Sequence, residues 1–272
     1  MAFGQINYNG GVCAAIFEAG KARPIPGVTS LDLLLKPELA ERAGAAVADW
    51  RPALPIHPPE VWGCGCTYET SASFRDGEHG TREGMYAYVY REARPEVFFK
   101  GTSRVCTGPG EPIGIRCDSQ FTAPEPELAL VLGEGGRIAG YTLANDVSAW
   151  DIERENALYL TQSKVYDRCC ALGPVIVTPQ EVSDVYALEM TCRITRGNVE
   201  RFAGKVSISK LHRKLETLVE YLTRSNRVPA GTVLLTGTGI IVTKESALAP
   251  GDVVTITVPG IGELSNPAAV VG

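Results

Sequence analysis

No stretch of this 272-residue chain is apolar for long enough to cross a membrane. The N-terminus carries neither a basic region followed by an apolar one nor a small-residue cleavage site, so no signal peptide is expected and the chain is placed in the cytoplasm. Basic stretches are missing too. With a formal net charge of −5, the composition argues against a nucleic-acid partner. The eight cysteines lack the paired spacing of structural zinc sites. Their irregular placement, without a secretion signal, predicts reduced and mostly buried thiols. No internal repeat or low-complexity tract is present.

What remains is a chain long enough for one main domain with a smaller appendage. Up to about residue 50, short strand-like pieces are punctuated by glycine and proline. A helix follows, capped near Thr29 and Ser30 and carrying Leu31, Leu34 and Leu35. Pro52, Pro55, Pro58 and Pro59 then mark an extended connection. This predicts a small, mainly β domain over 1–60 and a larger one over 61–272. His57, among the prolines, reads as a surface residue. A glycine-rich strand end at 62–68 leads into a polar segment at 69–84 that is either a lid or an exposed loop before a helix near 81–92. Phe98 and Phe99 mark a buried strand, and on composition alone Lys100 is its end reaching solvent. A short helix is expected over 147–155. Leu211, Leu215, Leu218, Val219 and Leu222 have helical spacing, with Ser209 as the expected cap. Strands at 231–235 and 251–258 complete a β-rich α+β pattern.

The centre of the chain is a predicted β-hairpin. Thr122-Ala-Pro-Glu125-Pro-Glu127-Leu-Ala-Leu-Val-Leu132 runs into the turn Gly133-Glu-Gly-Gly136 and returns as Ile138-Ala-Gly-Tyr-Thr-Leu-Ala-Asn145-Asp146. Strand side chains alternate, so Glu125 and Glu127 share one face while Leu128, Leu130 and Leu132 take the other. A turn centred near Gly135 sets Asp146 opposite about residue 124, beside both glutamates. Paired glutamates on a strand are ordinarily a solvated face. Three carboxylates at one end repel and raise one another's pKa unless a cation neutralises them. Hard oxygen donors of this number and sign suit Mg²⁺, with Mn²⁺ or Ca²⁺ as substitutes.

Several motifs in order then resemble the fumarylacetoacetate hydrolase superfamily over roughly residues 61–272. They are Phe98-Phe-Lys100, Glu125-Pro-Glu127, Gly140-Tyr-Thr-Leu-Ala-Asn-Asp-Val-Ser148, Gln162-Ser-Lys164 with Leu172-Gly-Pro174, Thr236-Gly-Thr-Gly239 and Gly262-Glu-Leu-Ser-Asn266-Pro267. The resemblance implies a mixed β-sandwich roll preceded by a small N-terminal domain, and a homodimer. It implies that Glu125, Glu127 and Asp146 hold Mg²⁺, that Lys164 stands beside a metal-bound 2-oxo acid, and that Thr238 grips the substrate carboxylate. Lys100, Tyr68, Arg75 and Tyr159 are further candidate substrate contacts. Hydrolases of carbon–carbon bonds in the superfamily carry Asn-Tyr-x-x-His near the lid. Here the stretch reads Thr67-Tyr68-Glu69-Thr70-Ser71, with serine in place of the histidine. His79 lies further along, at a spacing that does not match.

The stretches 94–100, 124–132 and 155–167 are similar to the branch that dehydrates 2-keto-3-deoxy sugar acids of the 2-dehydro-3-deoxy-arabinonate type. That likeness assigns proton handling to Glu96 and Lys164, and either order of acid and base satisfies the chemistry. The implied reaction is removal of a C3 proton from a metal-chelated 2-oxo acid, an enolate, and departure of the C4 hydroxyl as water. Two other readings share the scaffold: an acylpyruvate-type hydrolase or 2-oxo-dicarboxylate decarboxylase, and a non-catalytic metal-binding protein.

Overall fold

The computed structural model describes residues 1–78 and 84–272, with 76–78 described by backbone alone. The main path of its eleven-stranded sheet runs Lys21–Ile25, Gly11–Glu18, Ala2–Tyr8, Cys170–Val177, Ile138–Asp146, Pro126–Leu132, Val233–Leu235, Val61–Gly65 and Glu96–Gly101. A five-stranded sheet runs Val199–Ser207, Glu189–Arg196, Asp252–Val258, Gly262–Val271 and Ile113–Arg116. Most neighbours are antiparallel. Val233–Leu235 nevertheless runs parallel to Val61–Gly65, and Gly262–Val271 parallel to Ile113–Arg116, which makes the sheets mixed. The expected β-rich α+β class is the one observed.

Alternation along Pro126–Leu132 explains how the layers stack. Leu128, Leu130 and Leu132 point into a core shared with Met190, Ile194, Val254 and Leu264 of the smaller sheet. Ala129 and Val131 point the opposite way, into a second core with Phe3, Ile16, Leu33 and Ile176. The strand is buried at every position, as a central strand covered on both faces must be. The N-terminal strands join the same sheet, since Ala2 and Phe3 pair with Val177 and Ile176. The helix Ser30–Leu35 begins with the expected cap: Thr29 Oγ1 accepts from the Asp32 amide, and the Asp32 carboxylate accepts from the Thr29 amide.

Three local expectations are corrected. The polar segment after Tyr68 is not a loop; it opens with a helix, Glu69–Glu78, followed by Met85–Arg91. Polar composition conceals the first of these because its inward face carries Ser71, Ala72 and Arg75, and the Arg75 charge is neutralised by ion pairs inside the protein. His79 lies outside the described residues. The later helix is Leu215–Thr223, shorter than expected, and Ser207 caps a separate turn at Ile208–Lys210. His212 and Arg213 are drawn out of helical geometry: the His212 amide donates to Thr67 O, and the Arg213 guanidinium donates to the carbonyls of Val89, Tyr90 and Glu92. Lys100 does not reach solvent; it is fully buried. All eight cysteines are free thiols, and all but Cys106 and Cys117 are buried.

Candidate metal centre and active site

The hairpin register brings the acidic residues together. Pro126 pairs with Asn145, and the Asp146 amide donates to Glu125 O at 2.9 Å. Asp146 therefore faces Glu125, one residue from the position that a regular turn predicts. An irregularity between Val131 and Leu132, where Val131 pairs with Gly140 but Leu132 with Ile138, supplies the shift. One carboxylate oxygen from each of Glu125, Glu127 and Asp146 lies within 4.8 Å of the others, and all three residues are buried. Such a cluster of hard oxygen donors fits a divalent cation such as Mg²⁺.

Two buried lysines and an arginine stand against it. Lys164, at the end of the helix Leu160–Lys164, donates from Nζ to Glu125 Oε2 at 3.0 Å, Asp146 Oδ2 at 3.0 Å and Ser148 Oγ at 2.7 Å. Lys100 Nζ forms an ion pair with Asp146 Oδ1 and donates to Val147 O at 2.9 Å. Arg75 reaches in from the Glu69–Glu78 helix. Its Nη2 donates to Glu125 Oε1 at 3.1 Å, and its Nη1 to Glu153 Oε1 at 3.1 Å. The Trp150 indole adds a 2.6 Å bond to Glu125 Oε1.

These contacts polarise the glutamates in opposite directions. Burial alone would raise the Glu125 carboxyl, but Lys164 and Arg75, helped by the Trp150 indole, outweigh it and hold Glu125 below the usual carboxylate range. Glu127 goes the other way. Burial, then the negative charges of Asp146 and Glu125, push it well above that range, and Lys164 and the Gly237 amide offset only part of the rise. Burial likewise disfavours the Lys164 ammonium, yet Asp146 and Glu125 together prevail and raise its pKa. Of the three carboxylates, Glu127 is the one most in need of a counter-cation.

Glu96 opens the strand Glu96–Gly101 at the end of the large sheet, and its Oε2 accepts a 3.6 Å contact from Cys66 Sγ. Burial raises its pKa, with Arg75 opposing. A Cβ at Gly65 would fall 1.9 Å from Glu96 Oε2, so this carboxylate needs the glycine beside it. Glu96 lines a pocket of about 460 Å³ together with Cys66, Tyr86, Val89, Glu153 and Leu160. Tyr68 is buried, and Glu127 is the charged neighbour that, after burial itself, raises its pKa. Thr238 is buried and its Oγ1 bonds to the backbone of Ile240. Tyr159 is the least enclosed of the candidates, 37 % exposed in the turn Ala157–Tyr159.

Ser148, Trp150 and Glu153 belong to this cluster but are not singled out by sequence reasoning. Ser148 is two residues beyond Asp146, so strand periodicity carries a signal for it. Trp150 and Glu153 carry none, because only the packing of the helix Trp150–Glu155 brings them inward.

Gly237 closes one side of the carboxylate cluster. Its amide donates to Glu127 Oε2, its φ is +92°, and an added Cβ would lie 2.0 Å from Thr67 Oγ1 and 2.9 Å from Cys64 O. Gly237→Ala is therefore expected to cost about 1–3 kcal/mol from backbone strain alone, before the clash is counted. Urea unfolding reads the loss, and wild-type stability would show that the loop can yield.

Residues 78–269 match the family model of the fumarylacetoacetate (FAA) hydrolase C-terminal region. A 2-dehydro-3-deoxy-D-arabinonate dehydratase of Saccharolobus solfataricus is 46 % identical over 224 residues, spanning 81 % of this chain and 75 % of that protein. A Haloferax volcanii protein named "Probable 2-keto-3-deoxyxylonate dehydratase" is 45 % identical over 241 residues, 88 % of this chain and 82 % of that one. The solved structure of "2-keto-3-deoxy-D-arabinonate dehydratase complexed with magnesium and 2,5-dioxopentanoate" superposes with a TM-score of 0.89 at 38 % identity, covering 100 % of this chain and 99 % of that one. With the family model and these relatives in agreement over most of its length, the chain belongs to the fumarylacetoacetate hydrolase family.

Proposed function

We propose that the chain is a magnesium-dependent hydro-lyase that removes water from a 2-keto-3-deoxy sugar acid of the 2-dehydro-3-deoxy-arabinonate type. The observation that carries this reading is the buried Glu125–Glu127–Asp146 cluster, with Lys164 bonded to it and a raised-pKa Glu96 lining the adjoining pocket. The dehydratase relatives support it. Ser71, buried in the Glu69–Glu78 helix, stands where a hydrolase of this family would need a histidine base.

Glu125, Glu127 and Asp146 hold the metal in this proposal. Bound there, Mg²⁺ supplies Lewis acidity to a chelating 2-oxo acid and adds positive charge beside Lys164. Lys164, its ammonium thereby disfavoured, accepts a proton from C3. Glu96, whose carboxyl burial shifts toward the protonated form, delivers a proton to the departing C4 hydroxyl. The C3–H and C4–O bonds break and one water leaves. Thr238, Tyr68, Arg75 and Tyr159 are proposed to contact the substrate, and Lys100 to act through Asp146. On the family resemblance we also propose a cytoplasmic homodimer. Among the described residues no helix is long and apolar enough to cross a membrane.

The test is incubation of the protein with Mg²⁺ and a 2-keto-3-deoxy-pentonate, followed by mass spectrometry. A product lighter by one water is expected, with chelation by EDTA abolishing turnover and added Mg²⁺ restoring it. Release of pyruvate or CO₂ would replace the dehydratase reading with a hydrolase or decarboxylase. Metal binding without turnover of any 2-oxo acid would leave a non-catalytic metal protein.

A further inference from the structure

The contacts around Arg75 account for one oxygen of Glu153 and leave the other without a partner. Oε1 accepts from Arg75 Nη1 at 3.1 Å, while Oε2 is buried and accepts no hydrogen bond among the described residues. Glu153 as a whole is 4 % exposed. A buried carboxylate oxygen left unpaired is costly, and such groups persist where a ligand or water completes them. Glu153 lines the same pocket of about 460 Å³ as Glu96, among walls that include Val89, Ala157 and Leu160. Its position relative to the metal cluster is set by one side chain. The guanidinium that holds Glu153 through Nη1 holds the metal ligand Glu125 through Nη2. Glu153 therefore stands one guanidinium away from the metal cluster and on the wall of the pocket that Glu96 also lines.

We propose that Glu153 Oε2 accepts a hydrogen bond from the terminal hydroxyl of the substrate, at C5 in a pentonate, and so selects 2-oxo acids with a hydroxylated tail over those with an alkyl tail. This rests on the proposed reading of the cluster as the seat of a 2-oxo acid. A carboxylate oxygen can accept a hydrogen bond from a hydroxyl but not from a methyl group, which would leave it unpaired. A site built to bond a hydroxyl rejects the analogue that lacks one more strongly than an apolar pocket rejects a missing methylene.

The experiment is calorimetric titration of the Mg²⁺-loaded protein with 5-hydroxy-2-oxopentanoate and with 2-oxopentanoate. Neither has a C4 hydroxyl to lose, so binding is read without turnover. The wild type is expected to hold the hydroxylated acid at least about tenfold more tightly, equivalent to about 1.4 kcal/mol. In Glu153→Ala the two affinities should converge, and in Glu153→Gln, which keeps the shape and one bond to Arg75, the preference should shrink. Equal affinities in the wild type, or an undiminished preference in either folded variant, would overturn the assignment. A protein with this preference that releases no water from a 2-keto-3-deoxy-pentonate refutes the proposed reaction and leaves Glu153 assigned. A working dehydratase without the preference refutes only the assignment.

Discussion

Asp146→Asn is expected to lower dehydration by about 10³-fold or more, the equivalent of several kcal/mol of transition-state stabilisation. The reasons converge on one side chain. Asp146 is one of the three clustered carboxylates, and it is also the shared partner of Lys100 and Lys164. An amide removes a charge from the metal cluster and leaves two buried ammonium groups with less to neutralise them. It also points an NH₂ donor at one of them. Magnesium affinity, read by titration calorimetry, should fall in parallel with kcat/KM while circular dichroism stays native. Activity within tenfold of the wild type would remove Asp146 from the proposed metal centre.

Lys100→Met is expected to destabilise the protein by about 3–5 kcal/mol, the range for breaking a buried ion pair by removing one partner. Lys100 is fully buried, and it holds Asp146 from the side opposite the Lys164 contact, one lysine on each carboxylate oxygen. Burial alone would lower its pKa; the Asp146 charge more than reverses that and keeps it protonated. Methionine fills much of the volume but leaves the Val147 carbonyl without its donor and one oxygen of Asp146 without its cation. Urea unfolding measures the loss. A variant as stable as the wild type with a raised KM would instead make Lys100 a substrate contact. Both predictions read the same pair from its two ends, so their effects should not add in the double variant.

Much of this centre was legible in the chain. Two glutamates two residues apart share a strand face by the geometry of the pleat, and a glycine turn returns the next strand to the same end. The Glu125–Glu127–Asp146 cluster therefore followed from local rules, missing the register by a single residue because of an irregularity near the turn. The Thr29 cap and the alternation of Leu128, Leu130 and Leu132 followed for the same reason. Each depends on residues that are neighbours along the chain. What failed was the equation of polar with exposed at the positions that form the site, although it held for His57. Lys100 read as a strand end reaching solvent and Arg75 lay in a segment read as polar loop or lid, yet both are at least nine-tenths buried, as are Lys164 and Glu153.

Charge inside a protein is tolerated only where an opposite charge meets it, and the partners here lie far apart in sequence. Arg75 bonds Glu125 across 50 positions and Glu153 across 78. Lys100 reaches Asp146 only because the strand Glu96–Gly101 enters the sheet where it does. The sequence by itself determined the family motifs, the hairpin and the three carboxylates, because period and turn geometry act locally. The tertiary structure alone decided which cations stand against them, which glutamate is held ionised, and which oxygen of Glu153 is left unpaired, because those outcomes depend on distances that close only when the sheet and its helices pack.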